Sequence, residues 1–245
     1  MFNFIAIINA FLMHTRISKI IVAIFFILNY FIGFGQHSNP SVQDTLQQLT
    51  TDNHLTVPSL TKEISDSTLY TQAYSLIKQH HINEANQLVT QLQKKNPKHE
   101  DVYFLKGLLF ALKGKYASAI SNFNSVLDNN PKHEKALYNR ALAKALLDDY
   151  KSAIEDLNKC ISINPSYTLA YYSRGYWYEV MRNFEAAISD YQKTITLDKY
   201  FNEAYLALAY VYYETGNKIN ACETLKKADA EGINTASEFF QNYCQ

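Results

Sequence analysis

Small and apolar residues recur every 34 positions between residues 66 and 235. A frame of 34 residues counted from Asp66 divides this part of the chain into five units. The twentieth place of every unit is alanine: Ala85, Ala119, Ala153, Ala187 and Ala221. The eighth place is always small: Ala73, Gly107, Ala141, Gly175 and Ala209. Agreement at both places in every unit identifies an internal repeat.

The apolar places of each unit follow the spacing of two helices. Places 4, 8 and 11 recur at i, i+4 and i+7, and places 20, 24 and 27 do the same. Small side chains at places 8 and 20 let the two helices approach, and large ones at places 4 and 24 fill the space beside them. Helices of about 13 residues are marginal alone, so neighbouring units must stack. The pattern therefore predicts an all-α fold.

The pentapeptide Asn-Pro-Lys-His-Glu occurs twice, at residues 96–100 and 130–134, in the turns between units. Its repeated His-Glu pair could be two halves of a metal or acid–base site, but neighbouring turns on one edge are too far apart to share ligands. His80 and His81 lie in a turn at the opposite edge. The two edges are about 20 Å apart, whereas metal–ligand bonds are about 2 Å long. We therefore expect no metal site and no cofactor. Proline ends one helix, Glu100 and Glu134 favour the next helix start, and the histidines receive no role.

The 34-residue pattern resembles the tetratricopeptide repeat over residues 66–235. In the second unit, the signature of that family is matched by Gly107, Ala119, Phe123 and Pro131. The resemblance implies an all-α, right-handed superhelical solenoid of about five helix pairs. It also implies a concave groove lined by the first helix of each pair. Three lysines depart from the family pattern, where apolar residues or a proline are usual: Lys144, Lys199 and Lys218.

Two segments beside the repeats also have predicted structures. Residues 36–65 are rich in Ser, Thr, Gln and Asn, and are expected to form a flexible polar linker. After the fifth unit, Gly232 can end a helix, and Thr-Ala-Ser-Glu at residues 235–238 is a capping box. We expect a C-terminal capping helix over residues 236–245, which would cover the end of the array.

Arginine and aspartate recur together in two units only. Place 7 holds Arg140 and Arg174, and place 23 of the same units holds Asp156 and Asp190. In two antiparallel helices joined near place 15, these places lie at the same level. We therefore predict the structural ion pairs Arg140–Asp156 and Arg174–Asp190. The alternative is that the arginines bind a ligand.

The stripe at places 2, 5, 9 and 12 of the first helices faces the predicted groove and is strongly aromatic. Tyrosine provides a large contact area with little conformational entropy to lose, which suits recognition of a peptide or a partner helix. The predicted partner-binding residues are Tyr70, Tyr74, Phe104, Lys135, Tyr138, Asn139, Tyr172, Tyr176, Tyr210 and Tyr213. Glu179 lies among them. Several of these rings could instead pack against neighbouring helices, and Trp177 is expected in the core.

The first 35 residues lack Asp and Glu and have the pattern of an export signal. Arg16 and Lys19 precede a short apolar run, and Gly-Phe-Gly at residues 33–35 supplies a cleavage site. The run is shorter than the ~20 residues of a membrane-spanning helix. We expect a cleaved signal peptide over residues 1–35, with Met13 as an alternative start. An uncleaved membrane anchor and a buried core helix are the other interpretations.

Charge and cysteine content restrict the function further. Lys and Arg together number 23, as do Asp and Glu, so no net charge attracts nucleic acid and none is expected as a partner. Only Cys222 and Cys244 are considered as a disulfide pair; the alternative is that all three cysteines are small buried residues. The sequence contains no nucleophile–base arrangement or glycine-rich phosphate loop, so we expect no enzymatic activity.

Together these features predict an exported, periplasmic or secreted, scaffold or adaptor that binds a partner protein or peptide in a tyrosine-rich groove. Membrane association is expected only if the N-terminal segment stays uncleaved. The alternative function is a carbohydrate- or cell-wall-binding module that stacks sugars on the same tyrosines. The groove lacks the ladder of Lys and Asn found in carboxylate-binding tetratricopeptide proteins, so an acidic C-terminus is not the expected ligand.

Overall fold

A computed structural model describes residues 65–233 and Cys244. These residues form ten helices and no strand: α1 Asp66–Lys78, α2 Ile82–Lys95, α3 Glu100–Leu112, α4 Tyr116–Asn129, α5 Glu134–Ala145, α6 Tyr150–Ile163, α7 Thr168–Val180, α8 Phe184–Leu197, α9 Asn202–Glu214 and α10 Lys218–Ala230. The prediction of an all-α fold is confirmed. The expected signal peptide, the linker before Ser65 and the capping helix before Cys244 lie outside the described residues.

The helices pack in consecutive pairs, which belong to two compact units separated after Pro97. The described part of the first unit is the pair α1–α2. The second unit contains the pairs α3–α4, α5–α6, α7–α8 and α9–α10, and each second helix also contacts the next first helix. Successive first helices touch as well, from α3 through α5 and α7 to α9. In the second unit, every pair therefore buries part of the next, as repeat arrays require.

The histidines of the repeated pentapeptide cap the helices that follow them. The ring Nδ1 of His99 accepts a hydrogen bond from the backbone N–H of Asp101 at 3.3 Å. The ring Nδ1 of His133 accepts one from the backbone N–H of Ala136 at 3.1 Å. Such N–H groups have no partner within the first turn of a helix. The sequence assigned these histidines no role, and the structure shows that they satisfy helix ends.

The turn inside each pair contains a left-handed residue at place 15. Gly114 and Gly216 adopt the left-handed conformation with φ of 69° and 78°. It has no steric cost for them because glycine lacks Cβ. His80, Asp148 and Arg182 adopt it with φ of 59°, 64° and 59°. For these side chains the conformation costs about 1 kcal/mol or more. The packing of the helices on either side, and not local preference alone, therefore imposes the turn.

The small residues at places 8 and 20 bring the two helices of a pair into contact. A Cβ added to Gly107 would lie 2.5 Å from the Phe123 ring, and one added to Gly175 would lie 3.0 Å from the Tyr191 ring. Ala119 at place 20 has no exposed surface. The large ring at place 24 therefore occupies the space that the small residue at place 8 leaves open.

Both predicted ion pairs are confirmed. The Nε and Nη2 atoms of Arg140 donate to the two carboxylate oxygens of Asp156 at 2.8 and 2.6 Å. Arg174 donates to Asp190 in the same way and at the same distances. Both aspartates are almost fully buried, with exposed fractions of 1% and 4%. Each pair therefore ties the two helices of one repeat together in its interior.

Each arginine also reaches the preceding helix pair, which the sequence analysis did not foresee. The Nη1 atom of Arg140 donates to Asn124 Oδ1, and that of Arg174 to Asn158 Oδ1, each at 2.7 Å. Both asparagines occupy place 25 of the unit that precedes the arginine. The aspartates occupy place 23 of the arginine's own unit. The ammonium of Lys144 lies 2.8 Å from the aspartate bound to Arg140. This contact explains a lysine that departs from the repeat pattern.

Two cross-links hold the carboxyl end of the second unit. A disulfide joins Cys222 in α10 to Cys244, whose Cα atoms are 5.6 Å apart. Lys199, before α9, forms an exposed ion pair of 3.0 Å with Glu231, after α10. Cys160 is buried and forms no disulfide.

Among the described residues, no helix combines the length and apolar character needed to cross a membrane.

Candidate partner-binding face

The structure divides the ten residues predicted to contact a partner into an open group and a buried group. The open group keeps partial or full exposure: Tyr70, Tyr74, Lys135, Asn139, Tyr210 and Tyr213. The buried group presents little or no surface: Phe104, Tyr138, Tyr172 and Tyr176. The stripe is therefore partly packing surface and partly open surface.

In the first unit, two tyrosines of α1 form an open aromatic surface. The rings of Tyr70 and Tyr74 are stacked, with centroids 6.0 Å apart and planes inclined by only 6°. The Lys78 ammonium lies 6.0 Å from the centroid of the Tyr74 ring. Both tyrosines remain partly exposed. This unit therefore carries two stacked and partly exposed tyrosine rings.

The buried aromatic residues of the second unit pack instead of lining an open groove. Phe104 and Tyr138 have no exposed surface, and Tyr172 keeps 9%. Each of these place-5 rings contacts the ring just before the next first helix: Phe104 with His133 at 5.0 Å, Tyr138 with Tyr167 at 5.2 Å and Tyr172 with Phe201 at 4.9 Å between centroids. The alternative that several rings pack against neighbouring helices therefore holds for this group. The sequence signal that could have revealed this packing is the ring at place 34, directly before the next first helix.

The open residues of the second unit lie on α5 and α9. Lys135 is exposed, and its backbone carbonyl accepts a hydrogen bond from the Asn139 side chain at 2.7 Å. Tyr213 is 48% exposed, and the Lys218 ammonium lies 5.9 Å from its ring. Tyr210 is half-buried, and burial raises the pKa of its hydroxyl. These side chains provide ring surface and polar groups to solvent.

Glu179 brings a carboxyl group to the same stripe at the end of α7. Glu179 is half-buried. The Tyr191 hydroxyl donates a hydrogen bond to Glu179 Oε2 at 2.6 Å. Burial raises the pKa of Glu179 to about 7, with a further contribution from the charge of Glu214. The charges of Glu214 and Glu179 also add to the rise in the pKa of Tyr210.

The first helices of the last two repeats carry three acidic side chains. They carry Glu179 on α7 and Glu203 and Glu214 on α9, whereas their one basic residue, Arg174, is bound to Asp190. Neither helix has a basic residue in its last turn. The helix dipole favours cations at that position and disfavours carboxylates. Glu179 and Glu214, in the last turns of α7 and α9, therefore work against helix stability, whereas Glu203 lies in the favourable first turn of α9.

Other candidate chemistry is not assembled in the part of the chain that the structure describes. No group of three or more His, Cys, Asp or Glu side chains is placed to hold a metal ion there. Trp177 is buried and stacks on Tyr150 with centroids 5.4 Å apart, in agreement with its expected place in the core. The open group offers a ligand ring surface, hydroxyl groups, an ammonium group and an amide.

Comparison with protein families supports the assignment of the repeats. Models described as tetratricopeptide repeat match residues 70–134, 134–167 and 203–230. No curated protein matches the sequence.

Solved structures with the same fold are numerous, and three illustrate it. MamA from Desulfovibrio magneticus has a TM-score of 0.60 and 21% identity, over 71% of this chain and 97% of that chain. PilF of Pseudomonas aeruginosa has a TM-score of 0.62 and 12% identity, over 67% and 75%. YrrB has a TM-score of 0.57 and 17% identity, over 73% and 92%. These identities support likeness of fold alone. With the helix pairs and the family matches, they show that the chain belongs to the tetratricopeptide repeat family.

Proposed function

We propose that this protein is an exported scaffold or adaptor that binds a partner protein or peptide on the open stripe of its first helices. The fold itself supports protein–protein interaction, because tetratricopeptide proteins are typically non-enzymatic scaffolds. The observation that carries the proposal is the open group on the second unit. On this unit, Lys135 and Asn139 of α5 and two tyrosines of α9 remain at the surface, while the other rings of the stripe are packed.

Tyrosine on a rigid helix is well suited to this task. It buries a large area with few rotatable bonds to freeze, and its hydroxyl can bond a peptide backbone. Tyr213 is nearly half exposed, at 48%, and Tyr210 on the same helix is partly exposed. YrrB is described as a tetratricopeptide protein with an unusual peptide-binding site. That description supports peptide binding as a use of this fold.

Binding can be tested by affinity capture from the cell-envelope fraction. The variant Tyr210→Ala/Tyr213→Ala removes the open rings of α9, and Tyr200→Ala removes a 63% exposed tyrosine outside the stripe as a matched control. We expect the double variant to lose a captured protein that the wild type and the control retain. If all three chains capture the same proteins, α9 is not the binding face. Loss of glycan retention with unchanged protein capture would favour the carbohydrate-binding alternative.

Export is supported by the charge and apolar pattern of residues 1–35. Mass spectrometry of the mature protein provides a direct test. We expect its N-terminus to lie just after Gly35, at the end of the small-x-small motif. A mature chain that begins before Gly33 would contradict cleavage at this motif and would favour the membrane-anchored alternative.

A further inference from the structure

The last helix of the second unit, α10, buries fewer side chains than the second helices α4, α6 and α8. Its buried side chains are Ala221, Leu225 and Ala228. By contrast, α4 and α8 bury the rings of Phe123 and Tyr191. Among the described residues, α9 is the main packing partner of α10. Burial of apolar surface is the main stabilising contribution in a fold, so α10 should open more readily than the helices before it.

Two further features weaken the last helix pair. The Tyr205 side chain of α9 has no exposed surface, and its hydroxyl has no hydrogen-bond partner among the described residues. A buried hydroxyl group that lacks a partner destabilises the fold, because it has lost its hydrogen bonds to water. Ile219, in the first turn of α10, is 74% exposed and therefore contributes little packing. The pair α9–α10 thus depends on contacts other than its core.

Two cross-links supply such contacts. The ion pair between Lys199 and Glu231 is exposed, and exposed ion pairs contribute little to stability. The disulfide joins Cys222 to Cys244 across a sequence separation of 22. Cys222 is the fifth residue of α10, so the loop that the disulfide closes includes the rest of this helix. The bond restricts the conformations of the opened chain and is therefore the main constraint that keeps α10 in place.

The disulfide is open to thiol–disulfide exchange. Both of its cysteines are half-buried, so a small dithiol can reach the bond. One thiolate of the dithiol attacks a protein sulfur and forms a mixed disulfide, which the second thiolate then resolves. Two electrons and two protons pass to Cys222 and Cys244, which become thiols, while the dithiol becomes a disulfide. Cys160 has no exposed surface and stays outside this exchange.

We propose that the Cys222–Cys244 disulfide is a redox switch, in which reduction by a dithiol opens α10 and weakens partner binding on α9. The two helices form one pair, and the Lys218 ammonium at the start of α10 lies 5.9 Å from the Tyr213 ring. Release of α10 removes this support from the helix that carries Tyr210 and Tyr213. An oxidising compartment keeps the bond closed and the binding face in place. This inference rests on the proposed partner-binding function and adds its regulation.

Opening of α10 can be measured by hydrogen exchange and mass spectrometry of the full-length protein, with dithiothreitol as the reductant. We expect the protection of the α10 amides to fall about a hundredfold on reduction, because a constraint on a loop of this length is lost. The amides of α6, an interior second helix, should keep their protection. Iodoacetamide should then label Cys222 and Cys244 but not the buried Cys160.

The double variant Cys222→Ser/Cys244→Ser separates the switch from other effects of dithiothreitol. Its α10 should exchange like that of the reduced wild type, with or without the reductant. Without reductant, it should bind the protein that wild type captures through Tyr210 and Tyr213 about tenfold more weakly, as expected if the competent state is about one-tenth populated. A reductant effect on the captured protein itself cannot produce this result.

Unchanged exchange of α10 after complete reduction would overturn the switch. Equal loss of protection in α6 would also overturn it, because reduction would then unfold the protein as a whole. If α10 opens but tyrosine-dependent capture stays the same, the regulation is wrong and the partner-binding proposal stands. If capture does not depend on Tyr210 and Tyr213 in the oxidised protein, the partner-binding proposal is wrong, and its regulation falls with it.

Discussion

Replacement of Arg174 by methionine should destabilise the fold more than the equivalent change at Arg140. Both arginines donate two hydrogen bonds to a buried aspartate and one to an asparagine. Asp156 retains a second cation, because the Lys144 ammonium lies 2.8 Å from its carboxylate. Asp190 has no second cation among the described residues. The change at Arg174 therefore leaves a buried carboxylate without a counter-charge, whereas the change at Arg140 does not.

The expected magnitudes follow from burial and from the remaining contacts. Asp190 is 4% exposed, and removal of one partner from a buried ion pair costs about 3 kcal/mol at the lower end of the usual range. For Arg140→Met the ion pair with Lys144 persists, so we assign about 1.5 kcal/mol for the lost charge-assisted hydrogen bonds. The difference of about 1.5 kcal/mol corresponds to about a tenfold change in the unfolding equilibrium.

Urea titration of the full-length chain, followed by helical circular dichroism, measures these costs. The double variant Arg140→Met/Lys144→Met should lose as much stability as Arg174→Met, because it too leaves a carboxylate unpaired. Burial raises the pKa of Asp190, and Arg174 opposes that rise. Without Arg174 the folded state should bind the proton more tightly, so the stability deficit should shrink as the pH falls from 7 to about 5. Equal costs for the two single variants, or a deficit independent of pH, would refute the reasoning.

Reduction of the disulfide should lower the free energy of unfolding by about 3 kcal/mol, because the bond spans 22 residues. In the control variant Cys222→Ser, which lacks the disulfide, reductant should not change the melting temperature. Gly107→Ala should cost about 1–3 kcal/mol, because its Cβ would lie 2.5 Å from Phe123. Gly175→Ala should cost less, since that distance is 3.0 Å and the gain in helix propensity is the same at both helical positions; equal costs in urea would contradict this. Burial raises the folded pKa of Glu179 to about 7, so its proton stabilises the fold at low pH and this stability is lost as the pH rises through that value. Glu179→Gln should flatten the dependence of the free energy of unfolding on pH. Parallel pH profiles for the wild type and the variant would contradict this assignment.

The repeat spacing predicted those features that depend on a single helix pair. Arg140 and Asp156 lie 16 residues apart on either side of a turn, so they are level in any antiparallel pair folded near place 15. The contact between Gly107 and Phe123 has the same separation and the same cause. Neither needs knowledge of the neighbouring repeats. The Arg–Asn bonds to the preceding pair were missed because they depend on how two pairs stack.

The aromatic stripe shows where spacing alone was insufficient. Tyr176 and Tyr210 both occupy place 9 of a first helix, yet Tyr176 is only 6% exposed and Tyr210 is partly exposed. Tyr176 lies on α7, and α9, the next first helix, packs against α7. Among the described residues, α9 has no following first helix packed against it. Exposure therefore depends on the position of a repeat in the array as well as on the place within the repeat.

The chain thus encodes its helices, its pairs and its intra-pair contacts in a periodic pattern, because these contacts join residues whose relative position one turn determines. Assignment of each aromatic ring to the core or to the open face required the packed structure, because that depends on contacts between repeats.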